Sequence, residues 1–141
     1  MKNTEEYKYS DLTRKIIGAS MKVHTTLGNG FPEVIYQRSL AIELSNCDLK
    51  FTREQEQDVY YKDTIVGRRI ADFIVENKVL IETKAISVIC EQQYAQILNY
   101  LKAFKMEIGL LINFGSTSLQ FKRFINSKLN ESAKSFNRVN Q

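Results

Sequence analysis

Leu12, Ile16, Ala19, Val23 and Leu27 recur at three- and four-residue steps, which predicts a helix over 11–27 with one apolar stripe. Ser10 or Asp11 suits its N-terminal cap, and Gly28 suits a left-handed end. The one proline, Pro32, stands where a second helix would begin, its favoured place. That helix is expected to reach Leu44 or Ser45, with Glu33, Tyr36, Leu40 and Leu44 in one row. From Leu49 to Ala85 the texture turns to β, with strands expected within 49–60, around 64–75 and around 79–85. Residues 90–104 return to a helical pattern, with Tyr94, Ile97, Leu98 and Leu101 on one side. Ile108 to Phe114 reads as a short apolar strand and Leu119 to Ile125 as a mostly alternating one, joined through Gly115-Ser-Thr-Ser. The order is ααβββαββ: a mixed α/β fold, a central sheet with helices packed on it.

Composition adds bounds. The chain has 141 residues, 43% hydrophobic and 26% charged, ordinary values for one globular domain, placed here at 11–126 with polar tails at 1–10 and 127–141 that look frayed. No apolar run approaches the roughly 20 residues of a membrane span, and Met1-Lys-Asn-Thr-Glu-Glu lacks the apolar stretch of a signal peptide. Cys47 and Cys90 match no metal or redox spacing and read as reduced thiols, so a cytoplasmic protein is expected. Of the net +4, Lys128, Lys134 and Arg138 against Glu131 place two units in the C-terminal tail. The body holds only about +2, so charge alone is weak evidence for a nucleic-acid partner.

The most informative stretch is Asp72-Phe-Ile-Val-Glu-Asn-Lys-Val-Leu-Ile-Glu82-Thr-Lys84. It sets an acid in one apolar run, then an acid and a lysine two apart in the next. Charges inside apolar strands cost free energy unless compensated. In an antiparallel pair, opposed residues share a face. Pairing Asp72 with Glu82 therefore puts Asp72, Glu82 and Lys84 on one face, and demands an odd loop, Glu76-Asn77-Lys78. An even loop would throw Asp72 to the opposite face unless a bulge corrected it.

Two carboxylates on one face repel, raising the proton affinity of one of them. Mg²⁺ or Mn²⁺ relieves this, because hard cations prefer oxygen ligands and accept carboxylates together with water and phosphate oxygens. Such an ion lowers the pKa of a bound water and polarises a phosphoryl group. Lys84 would orient the attacking water or stabilise charge developing on phosphorus. A plain ion pair of Lys84 with an acid is the bland account of the same letters. The apolar flanks Ile70, Phe73, Ile74, Val75, Val79, Leu80 and Ile81 point instead to a buried pocket.

Glu33 has two readings: a carboxylate favoured by the positive end of the second helix, or an acid on its core-facing stripe that approaches a metal. Gln96 and Tyr100, four apart on the third helix, are neighbours suited to phosphate or base contacts. His24 is the single histidine, which excludes zinc sites built from several. A satisfied structural role is its simpler reading, a metal ligand or phosphate donor the other.

Gly30-Phe-Pro-Glu33-Val-Ile-Tyr36 carries the spacing that names the GxxExxY proteins, and the chain resembles that family, placed in the PD-(D/E)XK nuclease superfamily. The resemblance runs from about Ile16 to Ile125 and takes in Val23-His24, the Asp72 hairpin, Gln96-Ile-Leu-Asn-Tyr100-Leu and Gly109-Leu-Leu-Ile-Asn-Phe-Gly115. It implies a restriction-endonuclease-like core, with Asp72 and Glu82 as metal ligands and Lys84 as the catalytic lysine. Glu33 matches the acid that the superfamily often carries on an early helix. Gln96 and Tyr100 match the Gln-x-x-x-Tyr helix of its exonuclease-like branch, in which an early histidine, here His24, can also bind metal. One departure stands out: Ala71 precedes Asp72 where the superfamily pattern has proline.

The leading expectation is a Mg²⁺- or Mn²⁺-dependent nuclease hydrolysing phosphodiesters in DNA. The alternative is a nucleic-acid-binding or regulatory module that uses the fold without turnover. A third is a subunit that needs a partner, or a homodimer, to gain surface for choosing targets.

Overall fold

The computed structural model describes residues 8–127. Helix α1 (Ser10–Leu27) turns Ile16, Ala19 and Val23 inward, and α2 (Glu33–Asn46) turns Tyr36, Leu40 and Leu44 inward. Each large apolar side chain so buried is worth roughly 1.5–3 kcal/mol, enough for these stripes to hold the helices to the sheet. Their ends differ from expectation. Neither Ser10 nor Asp11 caps α1: Ser10 is already helical, and the residue before it, Tyr9, is left-handed with φ 58°. Gly28 closes α1 through its N–H on the His24 carbonyl, with a positive φ of 68° but an extended ψ of −175°. Pro32 stands one residue before α2 with ψ 151°, so the helix starts at Glu33.

Five strands follow the predicted order: β1 (Phe51–Tyr61), β2 (Thr64–Val75), β3 (Val79–Lys84), then helix α3 (Glu91–Phe104), β4 (Ile108–Asn113) and β5 (Gln120–Ile125). They form one sheet in the order β1-β2-β3-β4-β5. Only β3 and β4 are parallel, and α3 supplies the crossover that parallel neighbours require. Phe73, Val75, Val79, Ile81, Ile108, Leu110 and Ile112 pack with α1 and α2 on one face. Ile74, Leu80 and Leu111 pack on the other against Ile97 and Leu101 of α3. Leu98 is 43% exposed, so the inward stripe of α3 is Tyr94, Ile97 and Leu101, without the fourth member expected.

The β1–β2 hairpin runs past the rest of the sheet. Strand β3 pairs with β2 only over Phe73–Val75, so the distal half of β2 pairs with β1 alone and residues 64–70 are exposed. This arm turns at Lys62-Asp63. Residues 8–10 are not frayed: Lys8 pairs with Glu107 at 3.0 Å, Tyr9 packs against the α1–α2 core, and Ser10 begins α1. The rest of both expected tails, 1–7 and 128–141, lies outside the described residues. Among the described residues no helix is long and apolar enough to cross a membrane, and Cys47 and Cys90 are free thiols.

Candidate active site

Strands β2 and β3 are joined by Glu76-Asn77-Lys78, the odd loop that the placement of the acids requires. Glu76 and Asn77 adopt left-handed φ values of 53° and 56°, and the Lys78 N–H closes the turn on the Val75 carbonyl at 2.9 Å. The ladder runs from Val75 opposite Val79 to Phe73 opposite Ile81, then stops. Asp72 and Glu82 stand where the next pair would form. The expected backbone pairing of these two is therefore absent, because the strands part at that level.

Strand β1 is irregular at the same height. Its register holds from Arg53–Phe73 to Gln55–Ala71, but Glu54 between them has a left-handed φ of 52°. Phe73 belongs to the α1–α2 core and Ala71 to the α3 cluster, although residues two apart in a regular strand share a face. Asp72 sits at the switch.

Carboxylates replace the missing ladder. Glu82 Oε1 accepts the Asp72 N–H at 3.2 Å. Asp72 Oδ2 accepts the Thr83 N–H at 2.7 Å and the Thr83 hydroxyl at 2.9 Å. Thr83 Oγ1 in turn accepts from Gln37 Nε2 of α2 at 3.0 Å. The site is thus braced from helix to strand to strand.

Burial dominates its electrostatics. Glu82 is 7% exposed, and desolvation, with the Asp72 charge second, pushes its carboxyl up to about 9. Asp72 is raised by burial, against the Thr83 hydrogen bonds and the charges of Lys84 and Arg53. Glu33 is raised by burial and then by Asp72, while Lys84 pulls it down. Glu33, Asp72, Glu82 and Lys84 thus feel one another's charge at the fork between β2 and β3. Tyr100 joins them from α3: burial and then Glu82 raise its hydroxyl.

The remaining two predicted residues are His24 and Gln96. His24 Nε2 lies 2.9 Å from the Ser116 carbonyl, which can only accept, so that nitrogen carries the proton in a structural bond. His24 is not among the charges acting on the three acids. Gln96 is exposed on α3, one turn from Tyr100. Three residues of the site escaped the sequence reading. Gln37 follows Glu33 by four on α2, a spacing that could have found it. Thr83 is the buried middle letter of Glu82-Thr83-Lys84. Arg53 lies over the Phe73 ring at 5.3 Å with a buried Nε that has no hydrogen-bond partner.

Among the described residues no group of three or more His, Cys, Asp or Glu side chains is drawn together so as to hold a metal by itself. The donor set that does converge is two carboxylates with a third near in charge. It suits a small hard cation that takes its remaining ligands from water and phosphate.

A five-stranded mixed sheet with helices on both faces, and acids where two strands part, defines a restriction-endonuclease-like α/β protein. The chain belongs to the PD-(D/E)XK nuclease superfamily, whose sequence profile matches residues 10–124. Among solved structures, the crystal structure of SSO0001 superposes with a TM-score of 0.53 at 15% identity, over 95% of this chain and 70% of that one. That likeness is one of fold. No curated protein matches the chain.

Proposed function

We propose that the protein is a metal-dependent nuclease that hydrolyses phosphodiester bonds in DNA, with Asp72 and Glu82 holding Mg²⁺ or Mn²⁺. The observation that carries this reading is the Asp72–Glu82 pair, whose burial and mutual repulsion lift Glu82 to about 9. A carboxyl that poorly ionised gains most from a cation, which substitutes for the proton. Bound there, the ion would activate a water and polarise the scissile phosphoryl group.

The chain's own residues do the rest. Lys84 follows Glu82 by two on β3, and its ammonium orients the attacking water or offsets charge building on the phosphoryl oxygens. Thr83 and Gln37 fix the Asp72 carboxylate through their hydrogen-bond chain. Glu33 would reach the ion directly or through water, and Tyr100 and Gln96 would meet the substrate from α3. The Gly30, Glu33 and Tyr36 spacing further supports a place among the GxxExxY proteins within the superfamily. Free Cys47 and Cys90 agree with a cytoplasmic setting.

The test incubates purified protein with labelled single- and double-stranded DNA and RNA, with and without Mn²⁺. Metal-dependent cleavage of DNA that disappears in Glu82→Ala and Lys84→Ala supports the assignment. Cleavage that persists equally in both variants marks a contaminant and overturns it. Salt-sensitive binding without cleavage of any substrate would make the protein a nucleic-acid-binding module instead.

A further inference from the structure

A cleft of the described residues lies between the β1–β2 arm and α3. Its volume is ≈ 690 Å³. Arg69 and Lys62 line it from the arm, Lys102 and Lys105 from the end of α3, with Tyr60 and Asn99 among them. Two acids, Asp58 and Asp63, also line it, and Asp58 is engaged by Arg68 at 3.4 Å. The cleft therefore carries an excess of positive charge on a body whose overall excess is small. Its strand wall leads toward the site: Arg69 precedes Asp72 by three residues on β2, about 10 Å of strand. Asn99 adjoins Tyr100, whose hydroxyl is influenced by both Arg69 and Glu82.

From this juxtaposition we infer that the cleft is the track along which a single nucleic-acid strand is led to Asp72 and Glu82. Lys62, Arg69 and Lys102 would hold its phosphates, and Tyr60 would offer a stacking surface. Two features favour a single strand over a duplex. A cleft of this volume lies in the range that admits drug-sized ligands, a stacked nucleotide or two, not a whole double helix. Cationic walls with an interposed exposed aromatic are also the usual means of gripping unpaired bases, since every base offers a π-face. The inference deepens the nuclease reading and rests on it for the destination of the strand.

Binding of fluorescein-labelled oligothymidylate, and of a duplex of equal length, is measured by anisotropy over a salt series, in EDTA with the Glu82→Gln protein. Single-strand binding is expected to be tighter than duplex binding. Lys62→Glu with Lys102→Glu is expected to weaken it at least tenfold. The same pair should flatten the salt dependence by about 1.4 in log–log slope, the value for two phosphates no longer neutralised. Lys15→Glu with Lys22→Glu, the same charge change on exposed positions of α1, is expected to change affinity less than twofold. Melting curves check that each variant folds, and Lys62→Gln with Lys102→Gln gives the same comparison should the reversals unfold. Equal weakening by both pairs, duplex binding as tight as single-strand binding, or no binding at low salt would each overturn the inference. Failure of the nuclease reading looks different: oligothymidylate is held in the cleft, yet protein with intact Glu82 cuts nothing in Mn²⁺. Conversely, cutting of single strands at an unchanged KM by the Lys62 and Lys102 reversals would sink the cleft alone.

Discussion

The Asp72 carboxylate is anchored to the neighbouring strand by Thr83, which gives it both a backbone N–H at 2.7 Å and a hydroxyl at 2.9 Å. Thr83 separates Glu82 from Lys84, so the tie fixes the first acid against the strand that carries the other two charges. A residue outside the proposed catalytic set thus determines whether that set converges. Thr83→Val keeps the shape and the N–H bond but removes the hydroxyl. It leaves Gln37 Nε2 without its acceptor and Asp72 with one donor fewer. We expect a loss of about 1–2 kcal/mol in urea denaturation, and a further upward move of the Asp72 pKa in carboxyl NMR. Thr83→Ser should restore most of both.

Protons should couple to stability through Glu82. Its folded pKa is about 9, against an ordinary 4.5 in the unfolded chain. Between those values the folded state keeps a proton that the unfolded state gives up. The contribution of this group is therefore fully present below about pH 4.5, declines as pH rises, and is gone above about 9. Glu33 and Asp72, also raised, act in the same direction. In EDTA the melting temperature should fall from pH 5 to pH 9. Glu82→Gln should show a shallower fall and, at pH 8, melt above the wild type. A wild-type profile as flat as that of the variant would contradict the burial argument.

Metal should oppose this loss. A cation that binds the folded state alone, at a hundred times its Kd, adds about 2.7 kcal/mol, or several degrees in a domain of this size. We expect Mn²⁺ to raise the melting temperature of the wild type, most at alkaline pH where the acids are ionised. Asp72→Ala should lose the gain, and Gln96→Ala should keep it. Differential scanning fluorimetry with and without Mn²⁺ checks all three.

The fold was legible because apolar periodicity reports which face of each element is buried. Ile16, Ala19 and Val23 on α1 and the runs around Val79–Ile81 and Leu110–Ile112 left little freedom in layer or order. The candidate acids and Lys84 could be picked out because charges inside such runs need a reason, although the pairing that loop parity implied stops one step short of Asp72 and Glu82. What escaped depends on contacts distant in sequence. The Ser116 carbonyl that engages His24 is ninety-two positions away, and the cleft joins the arm to α3. Thr83 escaped because a buried threonine reads as an ordinary strand former. The left-handed φ at Glu54 had no signal at all, since a left-handed glutamate is not what strand chemistry favours.

Gly115 supports Lys84 from behind. A Cβ there would lie 2.3 Å from both the N and the O of Ile86, two residues beyond Lys84. Both contacts are to backbone and cannot turn aside. Asn113 clamps the same peptide, accepting the Ile86 N–H at 3.0 Å and donating to the Ile86 carbonyl at 2.8 Å. Gly115→Ala must force the β4–β5 loop away from the end of β3. We expect a loss of about 1–3 kcal/mol or more in chemical denaturation, with reduced cleavage as Lys84 shifts. Gly18→Ala, where nothing lies within 4 Å, should not destabilise the protein.

Tyr36 explains why a tyrosine follows Glu33 by three. Its ring is fully buried and stacks on Phe114 at 4.9 Å, while its hydroxyl donates to the Gly28 carbonyl at 2.6 Å and accepts the Phe31 N–H at 3.1 Å. One phenol thereby staples the turn between α1 and α2, in which Gly30 holds φ 111°, and sets where Glu33 enters its helix. Tyr36→Phe keeps the stacking and strands both backbone groups. Because the turn is largely exposed and water can replace part of the loss, we expect a cost of about 1–2 kcal/mol, short of unfolding. The sharper effect should fall on the site. With the turn loosened, Glu33 should lose part of its coupling to Asp72 and Lys84, moving its pKa toward an ordinary carboxyl. Carboxyl NMR of Tyr36→Phe against the wild type measures that shift directly. An unchanged Glu33 titration would show that the staple serves the fold alone.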